Sequence, residues 1–264
     1  MDKPEQYTHC VGEPKYVIPE DGLAEYIICP LRYAFVWHYE VDPPGQAYAV
    51  RACLRTGLSE LARLQYEHRL TAATVSRVLR PMGGRLENTH FMYVHGALVK
   101  YAAVLAERQV LAFSAPSRVR VGDSLFVGVA DVIHKEEDSI VFSHMNGLPF
   151  ATASEMDAMI VQSVRDGMSS LEASVKRNGL RVVWRSLHPQ GAAIVEEDIR
   201  PMYGVRPLLG AISRGIRNHA FYPRWHSSVC RRCGFQSVCS PKWCSARVLR
   251  RPGVAREGIV QEMQ

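Results

Sequence analysis

Three cysteines near the C-terminal end of the chain constrain its structure more than any other feature. Cys230, Cys233 and Cys239 follow the spacing Cys-x2-Cys-x5-Cys. Two cysteines with two residues between them can direct both sulfur atoms to one metal centre, and thiolates are soft ligands that suit zinc and iron–sulfur clusters. Either centre usually takes four protein ligands, so we expect a fourth ligand from elsewhere in the chain.

The other cysteines of the chain are Cys10, Cys29, Cys53 and Cys244. A local zinc site would use Cys244, but structural zinc sites more often pair two close doublets, whereas here one doublet is followed by a lone cysteine. Cys53 lies on the apolar side of a helical pattern and is expected in the core. The spacing favours an iron–sulfur cluster over zinc, and unliganded thiols remain a third alternative.

Composition limits the function classes. The 264 residues are 47% hydrophobic, enough to bury a core, and the net charge of +6 with a pI near 9.0 favours a polyanionic partner, most simply nucleic acid. No apolar run reaches the roughly 18 residues of a membrane helix, and the polar start does not resemble a secretory signal. We therefore expect no membrane association and a cytoplasmic location, where cysteines serve as ligands rather than disulfides.

Hydrophobic periodicity predicts helices first and a sheet afterwards. Residues 1–20 are expected to be irregular, and a helix beginning near Asp21 is interrupted at Cys29-Pro30. Further helices are predicted over 46–66, 89–108, 154–178 and 200–219, and strands over 117–121, 124–133, 139–144, 180–187 and 192–195. This order predicts an α/β or α+β domain with a helical insertion before the sheet.

Two segments of the sequence resemble conserved boxes of a known superfamily. Tyr26-Ile-Ile-Cys29-Pro30-Leu-Arg-Tyr-Ala-Phe35 is similar to the N-terminal box of RecB-like nucleases of the PD-(D/E)XK superfamily, and Phe221-Tyr-Pro223 with the cysteines after it is similar to their C-terminal box. In members such as the CRISPR-associated RecB-like exonucleases and the AddB nuclease, the first cysteine and the last three bind one 4Fe–4S cluster. The resemblance therefore implies four cluster ligands, Cys29, Cys230, Cys233 and Cys239.

The resemblance covers nearly the whole chain and implies its organisation. We expect one RecB-like domain over residues 1–246, with a restriction-endonuclease-like mixed sheet flanked by helices. It would comprise a helical insertion over 46–110, a nuclease-like core over 111–220 and a cluster-binding segment over 221–246, followed by a basic flexible tail over 247–264. The cluster would join the first and last segments as a structural staple.

The nuclease motifs of this superfamily are only partly present. Asp131, in Gly128-Val-Ala-Asp131, matches the metal-binding aspartate at a strand end. On the next strand Ser143 and Met145 stand where the resemblance requires an acid and a lysine, and neither can bind a hard cation or activate water. His144 is a polar neighbour, expected to face the opposite side of the strand from Ser143 and Met145.

Two further positions of the motif can be assigned by the resemblance. Gln162 fits the helical glutamine, whereas Asp166 occupies the position of the tyrosine one turn later and is either a migrated carboxylate or a surface acid. The upstream histidine of the superfamily corresponds to His95, with His90 and His68 as rivals. We expect cleavage to be lost or very weak because the acid and the lysine are missing.

These observations predict a catalytically inactive iron–sulfur protein that binds DNA or acts as a scaffold in a larger protein assembly. Arginines on an exposed face of helix 46–66 and beside the cluster are expected to contact phosphates: Arg51, Arg55, Arg231 and Arg232. The alternative is a metal-dependent DNA exonuclease that uses Mg²⁺ or Mn²⁺ at a rearranged site, with Asp131 joined by Asp166 or His144.

Overall fold

The computed structural model of the chain describes residues 15–41, 46–145, 160–166, 168–190, 193–199, 204–224, 230, 233–235 and 239. Arg231, Arg232, Cys10, Cys244 and the predicted tail over 247–264 lie outside the described residues. Within the described part, no helix is both long and apolar enough to cross a membrane.

The first helical region is broken at the predicted place. Helix α1 spans Glu20–Ile28 and helix α2 spans Pro30–Tyr33, followed by a π-helical turn over Ala34–His38. Cys29 has an extended backbone between the two helices, and Pro30 occupies the first position of α2, where a missing N–H costs nothing. The break turns the side chain of Cys29 out of the helical path.

A layer of three helices precedes most of the sheet. Helix α3 spans Ala47–Tyr66, α4 spans Ala72–Leu79 and α5 spans Asn88–Ala106, with a 3-10 turn over Arg80–Gly84 between α4 and α5. Leucines of α3 and α5 that are fully removed from solvent form the contact between these two helices: Leu58, Leu61, Leu98 and Leu105. Their burial stabilises this helical layer by roughly 1.5–3 kcal/mol per side chain.

The sheet contains six strands of mixed direction. They are β1 over Tyr16–Pro19, β2 over Gln109–Val121, β3 over Ser124–Glu136, β4 over Ser139–Met145, β5 over Arg181–Gln190 and β6 over Ala193–Ile199. The order is β1-β3-β4-β5-β6, with β2 also paired to β3. β1 is parallel to β3 and β4 is parallel to β5, whereas the other pairs are antiparallel. Residues 160–166, helix α6 over Ser169–Arg177 and helix α7 over Val205–Arg217 complete the described helices.

The predicted mixed α/β class is confirmed, and two local predictions are corrected. Residues 16–19 form β1, although residues 1–20 were expected to be irregular, because four residues are too few to show a strand period. β2 begins at Gln109 rather than at residue 117. The first residues of β2 do not alternate regularly between buried and exposed positions. Their sequence therefore does not show the alternation of apolar and polar residues by which a strand is predicted.

One edge of β3 pairs with two different strands. β1 pairs with residues 124–127 of β3, and β4 pairs with residues 132–136, while β2 runs along the opposite edge. Residues 128–131 lie between the two partners without a ladder bond on that edge. The sheet therefore forks at the Gly128–Asp131 segment, and the candidate site lies in this fork.

Candidate functional site

Side chains take the place of strand partners in the fork. The backbone N–H of Val129 donates to Oε2 of Glu20 over 3.1 Å, and the carbonyl oxygen of Val129 lies 3.1 Å from Nδ1 of His144. A buried backbone group without a partner would be costly, so these two side chains stabilise the gap in the ladder. Glu20 is the first residue of α1, directly after β1, and His144 lies near the end of β4.

Asp131 is held on both of its carboxylate oxygens. Oδ2 accepts a hydrogen bond of 2.6 Å from the backbone N–H of Met145, and Oδ1 accepts one of 3.2 Å from Nε of Arg55. Nδ1 of His144 lies 3.7 Å from Oδ2 of Asp131 and 3.7 Å from Oε2 of Glu20. Two buried carboxylates and a buried imidazole thus meet where β1 and β4 diverge.

Two arginines of α3 neutralise these acids. Nη1 of Arg55 pairs with Glu20 and lies 3.7 Å from Oδ1 of Asp21, and Arg51 pairs with Asp21. We call this group the carboxylate cluster, and its members are Glu20, Asp21, Arg51, Arg55, Asp131 and His144. Its charges are compensated within the protein, which is the condition for burying them.

The environment shifts the protonation of two members of the cluster. Burial raises the pKa of Glu20 above its usual range, against the lowering effect of His144 and Arg55. Burial disfavours the charged guanidinium of Arg55, but Asp131 and Glu20 outweigh this and raise its pKa. The cluster therefore contains a permanently charged cation beside a carboxyl group that protonates more readily than an exposed one.

The predicted exposure of Arg51 and Arg55 is wrong. Arg51 is 7% exposed, and Arg55 points into the fork. Helical periodicity placed both residues opposite the leucine stripe of α3, but it does not show that α1 and β3 bring carboxylates to that side. These two arginines are therefore unavailable as a phosphate-binding surface.

The residues at the predicted acid and lysine positions lie outside the cluster. Met145 is fully buried in an apolar group with Val132 and Leu187, and only its backbone N–H contacts Asp131. The hydroxyl of Ser143 is buried and has no hydrogen-bond partner among the described residues. His144, between them, is the residue of β4 whose side chain lies beside Asp131.

The two helical positions of the motif are also apart from Asp131. Nε2 of Gln162 donates to Oδ1 of Asp166 over 2.8 Å, so these two side chains bond to each other. His95 lies on α5, where its ring contacts Phe91. No hydrogen bond or ion pair joins any of the three to Asp131 in the part of the chain that the structure describes.

Glu20, with its neighbour Asp21, is the part of the site that sequence reasoning missed. It lies more than a hundred positions from Asp131, in a segment that was expected to be irregular. The available signal was an acid at the start of a helix directly after Pro19, a position that usually indicates a favourable interaction with the helix dipole and no more.

The cysteines of the two boxes lie near one backbone segment. Arg224 donates its backbone N–H to Sγ of Cys29 over 3.5 Å, and Sγ of Cys230 lies 4.0 Å from the carbonyl oxygen of Arg224. The segments on either side are also joined, since the N–H of Leu31 donates to the carbonyl oxygen of Tyr222 over 3.2 Å. The connection between α1 and α2 therefore packs against the C-terminal segment.

Cys233 and Cys239 belong to the same region. The N–H of Cys233 donates to the carbonyl oxygen of Cys230, and the N–H of Cys239 donates to that of Phe235. Phe235 stacks on Phe35 with ring centroids 5.2 Å apart. Burial raises the pKa of the Cys233 thiol, and the neighbouring Cys29 and Cys230 raise it further.

These thiols fit an iron–sulfur cluster in donor chemistry. Cys29, Cys230, Cys233 and Cys239 are all free of disulfides and partly accessible, and four soft thiolates suit such a cluster. Over the described residues, however, no group of three or more cysteine, histidine or acidic side chains is arranged to hold a metal ion, and this applies equally to the carboxylate cluster. These cysteines therefore lie in one region of the described structure without a formed ligand geometry.

Fold and site define a mixed α/β domain with a charge-compensated carboxylate cluster in a forked sheet. No protein-family model matches the chain, and no curated protein matches it. Among solved structures, the crystal structure of SSO0001 is similar, with 15% identity, coverage of 89% of each chain and a TM-score of 0.41. This likeness is too distant to indicate a function or a site.

Proposed function

We propose that this chain is a DNA-binding iron–sulfur protein with a nuclease-like PD-(D/E)XK fold that has lost metal-dependent cleavage. The observation that carries the proposal is the position of Arg55, whose guanidinium pairs with both Asp131 and Glu20. The positive charge that a divalent metal ion supplies to a cluster of acids is supplied here by the protein itself.

Replacing Arg55 by a metal ion is energetically unfavourable. Mg²⁺ requires ionised oxygen ligands in a nearly octahedral arrangement, but both oxygens of Asp131 already accept hydrogen bonds, and burial raises the pKa of Glu20. Moving Arg55 away would also break its buried ion pairs, which costs several kcal/mol. A site of this kind holds strands and helices together rather than activating water.

Binding to DNA is supported by the overall charge and by the resemblance of the two boxes. A net charge of +6 attracts the phosphate backbone and makes association depend strongly on salt. We favour DNA over a purely protein assembly because a scaffold role does not require a basic chain. Arg51 and Arg55 already pair with acids of the protein, so phosphates would have to be bound by other arginines of the chain.

In this proposal Cys29, Cys230, Cys233 and Cys239 hold a 4Fe–4S cluster. This assignment is supported by the contacts that Cys29 and Cys230 both make with the backbone of Arg224. The group would cross-link the break between α1 and α2 to the C-terminal segment, and it would stabilise the fold by closing a long loop. Anaerobically purified protein should be brown with broad absorption near roughly 400 nm and contain iron and sulfide; colourless protein with zinc would overturn this assignment.

Cleavage and binding are tested together on the full chain. Single- and double-stranded DNA are incubated with Mg²⁺ or Mn²⁺, and binding is measured over a salt series. We expect no cleavage and a steep fall of affinity with salt. Absence of binding at low salt contradicts the DNA proposal, and cleavage that disappears in Asp131→Asn contradicts the loss of catalysis.

A second candidate is a nuclease with a rearranged site, and Glu20 is the observation in its favour. Glu20 adds a second buried carboxylate beside Asp131, and Nε2 of His144 is buried without a hydrogen-bond partner among the described residues. If this candidate is correct, Glu20→Gln abolishes cleavage as fully as Asp131→Asn does. Asp138→Asn, in the exposed turn between β3 and β4, serves as the matched control.

A further inference from the structure

A pocket opens between α3, α4 and the 3-10 turn over Arg80–Gly84, with a volume of about 340 Å³. This is within the range of small-molecule sites, roughly 300–1,000 Å³. Cys53 and Glu60 line it from α3. At 100° per residue they lie on the side of α3 opposite Arg51 and Arg55, so the pocket and the carboxylate cluster use opposite faces of one helix.

Four arginines surround the pocket. Arg63 comes from α3, Arg69 from the connection to α4, Arg77 from α4 and Arg85 from the end of the 3-10 turn, and one lining acid, Glu60, opposes them. Four arginine residues that line one concave surface produce a positive potential that attracts anions. Their planar forks match the oxygens of a phosphate group.

The arginines differ in how far their charge is compensated. Arg63 bonds to Glu60 over 2.8 Å and to Glu67 over 2.8 Å, and Arg69 bonds to Glu67 over 3.0 Å. Arg77 and Arg85 are exposed, and their guanidinium groups have no hydrogen bond or ion pair with any residue that the structure describes. Two guanidinium groups at the rim therefore remain available to an anion from solution.

The floor of the pocket is apolar. Cys53 and Met82 are buried there, and Val78 is partly buried beside them. Burial raises the pKa of the Cys53 thiol, against the lowering effect of the charge of Arg85. An apolar floor below a cationic rim suits a ligand with a flat, weakly polar ring at one end and a dianion at the other.

We infer that this pocket binds a nucleoside 5′-phosphate, with the base against the Cys53–Met82 floor and the phosphate between Arg77 and Arg85. The ligand is either a free nucleotide or the terminal nucleotide of a DNA strand. The second source rests on the proposed function and would make the pocket the place where a strand end is held. The first source does not depend on it.

The test compares charge-reversal variants of the full chain. Arg77→Glu and Arg85→Glu change the rim. Arg118→Glu is the matched control, because Arg118 is exposed on β2 and its guanidinium has no hydrogen bond or ion pair within the described structure. Deoxyadenosine 5′-phosphate, deoxyadenosine, inorganic phosphate and a 5′-phosphorylated single-stranded oligonucleotide are titrated by calorimetry. Thermal unfolding verifies that each variant folds.

We expect the nucleotide to bind more tightly than deoxyadenosine or phosphate alone. Each rim variant should weaken nucleotide binding about tenfold or more, because a hydrogen bond to a charged group contributes about 1.5–3 kcal/mol. Arg118→Glu should leave nucleotide binding unchanged. Phosphate binding as tight as that of the nucleotide would contradict a role for the apolar floor.

The two ligand sources give different patterns. If the oligonucleotide binds through Arg77 and Arg85 and the free nucleotide does not, the strand end is the ligand. If the free nucleotide binds through these arginines and the oligonucleotide does not, the free nucleotide is the ligand. If the rim variants change neither, the inference fails, although DNA binding with a steep salt dependence would still support the proposed function. If no DNA binds at low salt but the nucleotide binds through both arginines, the pocket assignment holds and the DNA proposal fails.

Discussion

Arg55 of α3 and Asp131 of β3 form an ion pair, with Nε and Oδ1 3.2 Å apart, although the two residues are 76 positions apart in the chain. The side chain of Asp131 is 3% exposed and that of Arg55 is 20% exposed. The pair links the layer of helices α3, α4 and α5 to the fork of the sheet. It also makes this helical layer necessary for the charge balance of the sheet.

Arg55→Met should destabilise the protein strongly. The change leaves Asp131 and Glu20 buried without their compensating cation, and breaking a buried pair in this way costs about 3–5 kcal/mol. Urea denaturation at neutral pH measures the loss. Arg63→Met on the same helix removes two surface ion pairs, with Glu60 and Glu67, and should change stability little. Equal losses in the two variants would contradict the role of the cluster.

Stability should respond to pH through Glu20. Burial raises the pKa of Glu20 above its unfolded value of 4.5, so between these two pKa values the native state binds more protons than the unfolded chain. The free energy of unfolding therefore falls as the pH rises from the unfolded pKa through the raised one. Glu20→Gln should remove part of this decline in a series of denaturation curves.

The decline should not disappear completely in Glu20→Gln. Burial raises the pKa of Glu25 as well, despite its pairing with Arg32, so Glu25 keeps its own share of the slope. Glu107→Gln, at an exposed site, is the control and should leave the profile unchanged. A profile of Glu20→Gln that is identical to that of the parent would show that Glu20 titrates normally.

Glu136 should have the opposite effect at acid pH. Two hydrogen bonds from Arg185, of 2.7 and 3.1 Å, are the main reason why the pKa of Glu136 is lowered to about 2 from 4.5. Its contribution to stability is complete above the unfolded pKa and is lost as the pH falls from 4.5 through about 2. Glu136→Gln should flatten the acid limb, whereas the adjacent exposed Glu137→Gln should not; matching acid limbs would refute this.

Gly128→Ala should destabilise the fork by overpacking. A Cβ atom at this position would lie 2.9 Å from Cγ2 of Val164, 3.0 Å from Oγ of Ser117 and 3.3 Å from Oε2 of Glu20. The displacement costs about 1–3 kcal/mol. Thermal unfolding compares it with Gly84→Ala, where nothing lies within 4 Å of the added atom; a neutral Gly128→Ala would indicate a looser fork.

Cys29→Ser should remove the brown colour and most of the bound iron. In the proposed cluster Cys29 would be the ligand that links the α1–α2 break to the C-terminal segment, so its loss should open the long loop as well as the cluster. Iron analysis and thermal unfolding of anaerobically purified protein measure both effects. Cys53→Ser, which lies in the core, should keep its iron; unchanged iron in Cys29→Ser would exclude this residue as a ligand.

Local patterns in the sequence predicted most of the secondary structure but not the partners of the charged residues. The strands around Asp131, the break at Cys29 and helices α3 and α5 all carry strong periodic or proline signals. By contrast, the exposed face of α3 was predicted from the positions of its leucines alone. The acids that pair with Arg55, and so draw it inward, come from α1 and β3. Such pairings depend on the tertiary structure, which no window of sequence contains.

The candidate site shows the same limit. Asp131 was found because Gly128-Val-Ala-Asp131 resembles the metal-binding motif of the superfamily; it was expected at a strand end but lies within β3. Glu20 was missed because it comes to the same guanidinium as Asp131 only after β1 pairs with β3. Assigning Ser143 and Met145 to motif positions depended on aligning the strand by its hydrophobic start. In the structure His144 is the side chain beside Asp131, since the alternation of a strand makes a one-residue difference decisive.

The pairing of β1 with β3 has a consequence for the order in which the chain folds during synthesis. β1 can pair only after β3 has been synthesised, more than a hundred residues later. The hydroxyl of Tyr26 donates to the carbonyl oxygen of Ala220, which is 194 positions away. Contacts of such long sequence separation form slowly and leave an unpaired strand exposed in the meantime. The segment from Tyr16 to Tyr33 is therefore expected to acquire amide protection last and to be the natural target of a chaperone.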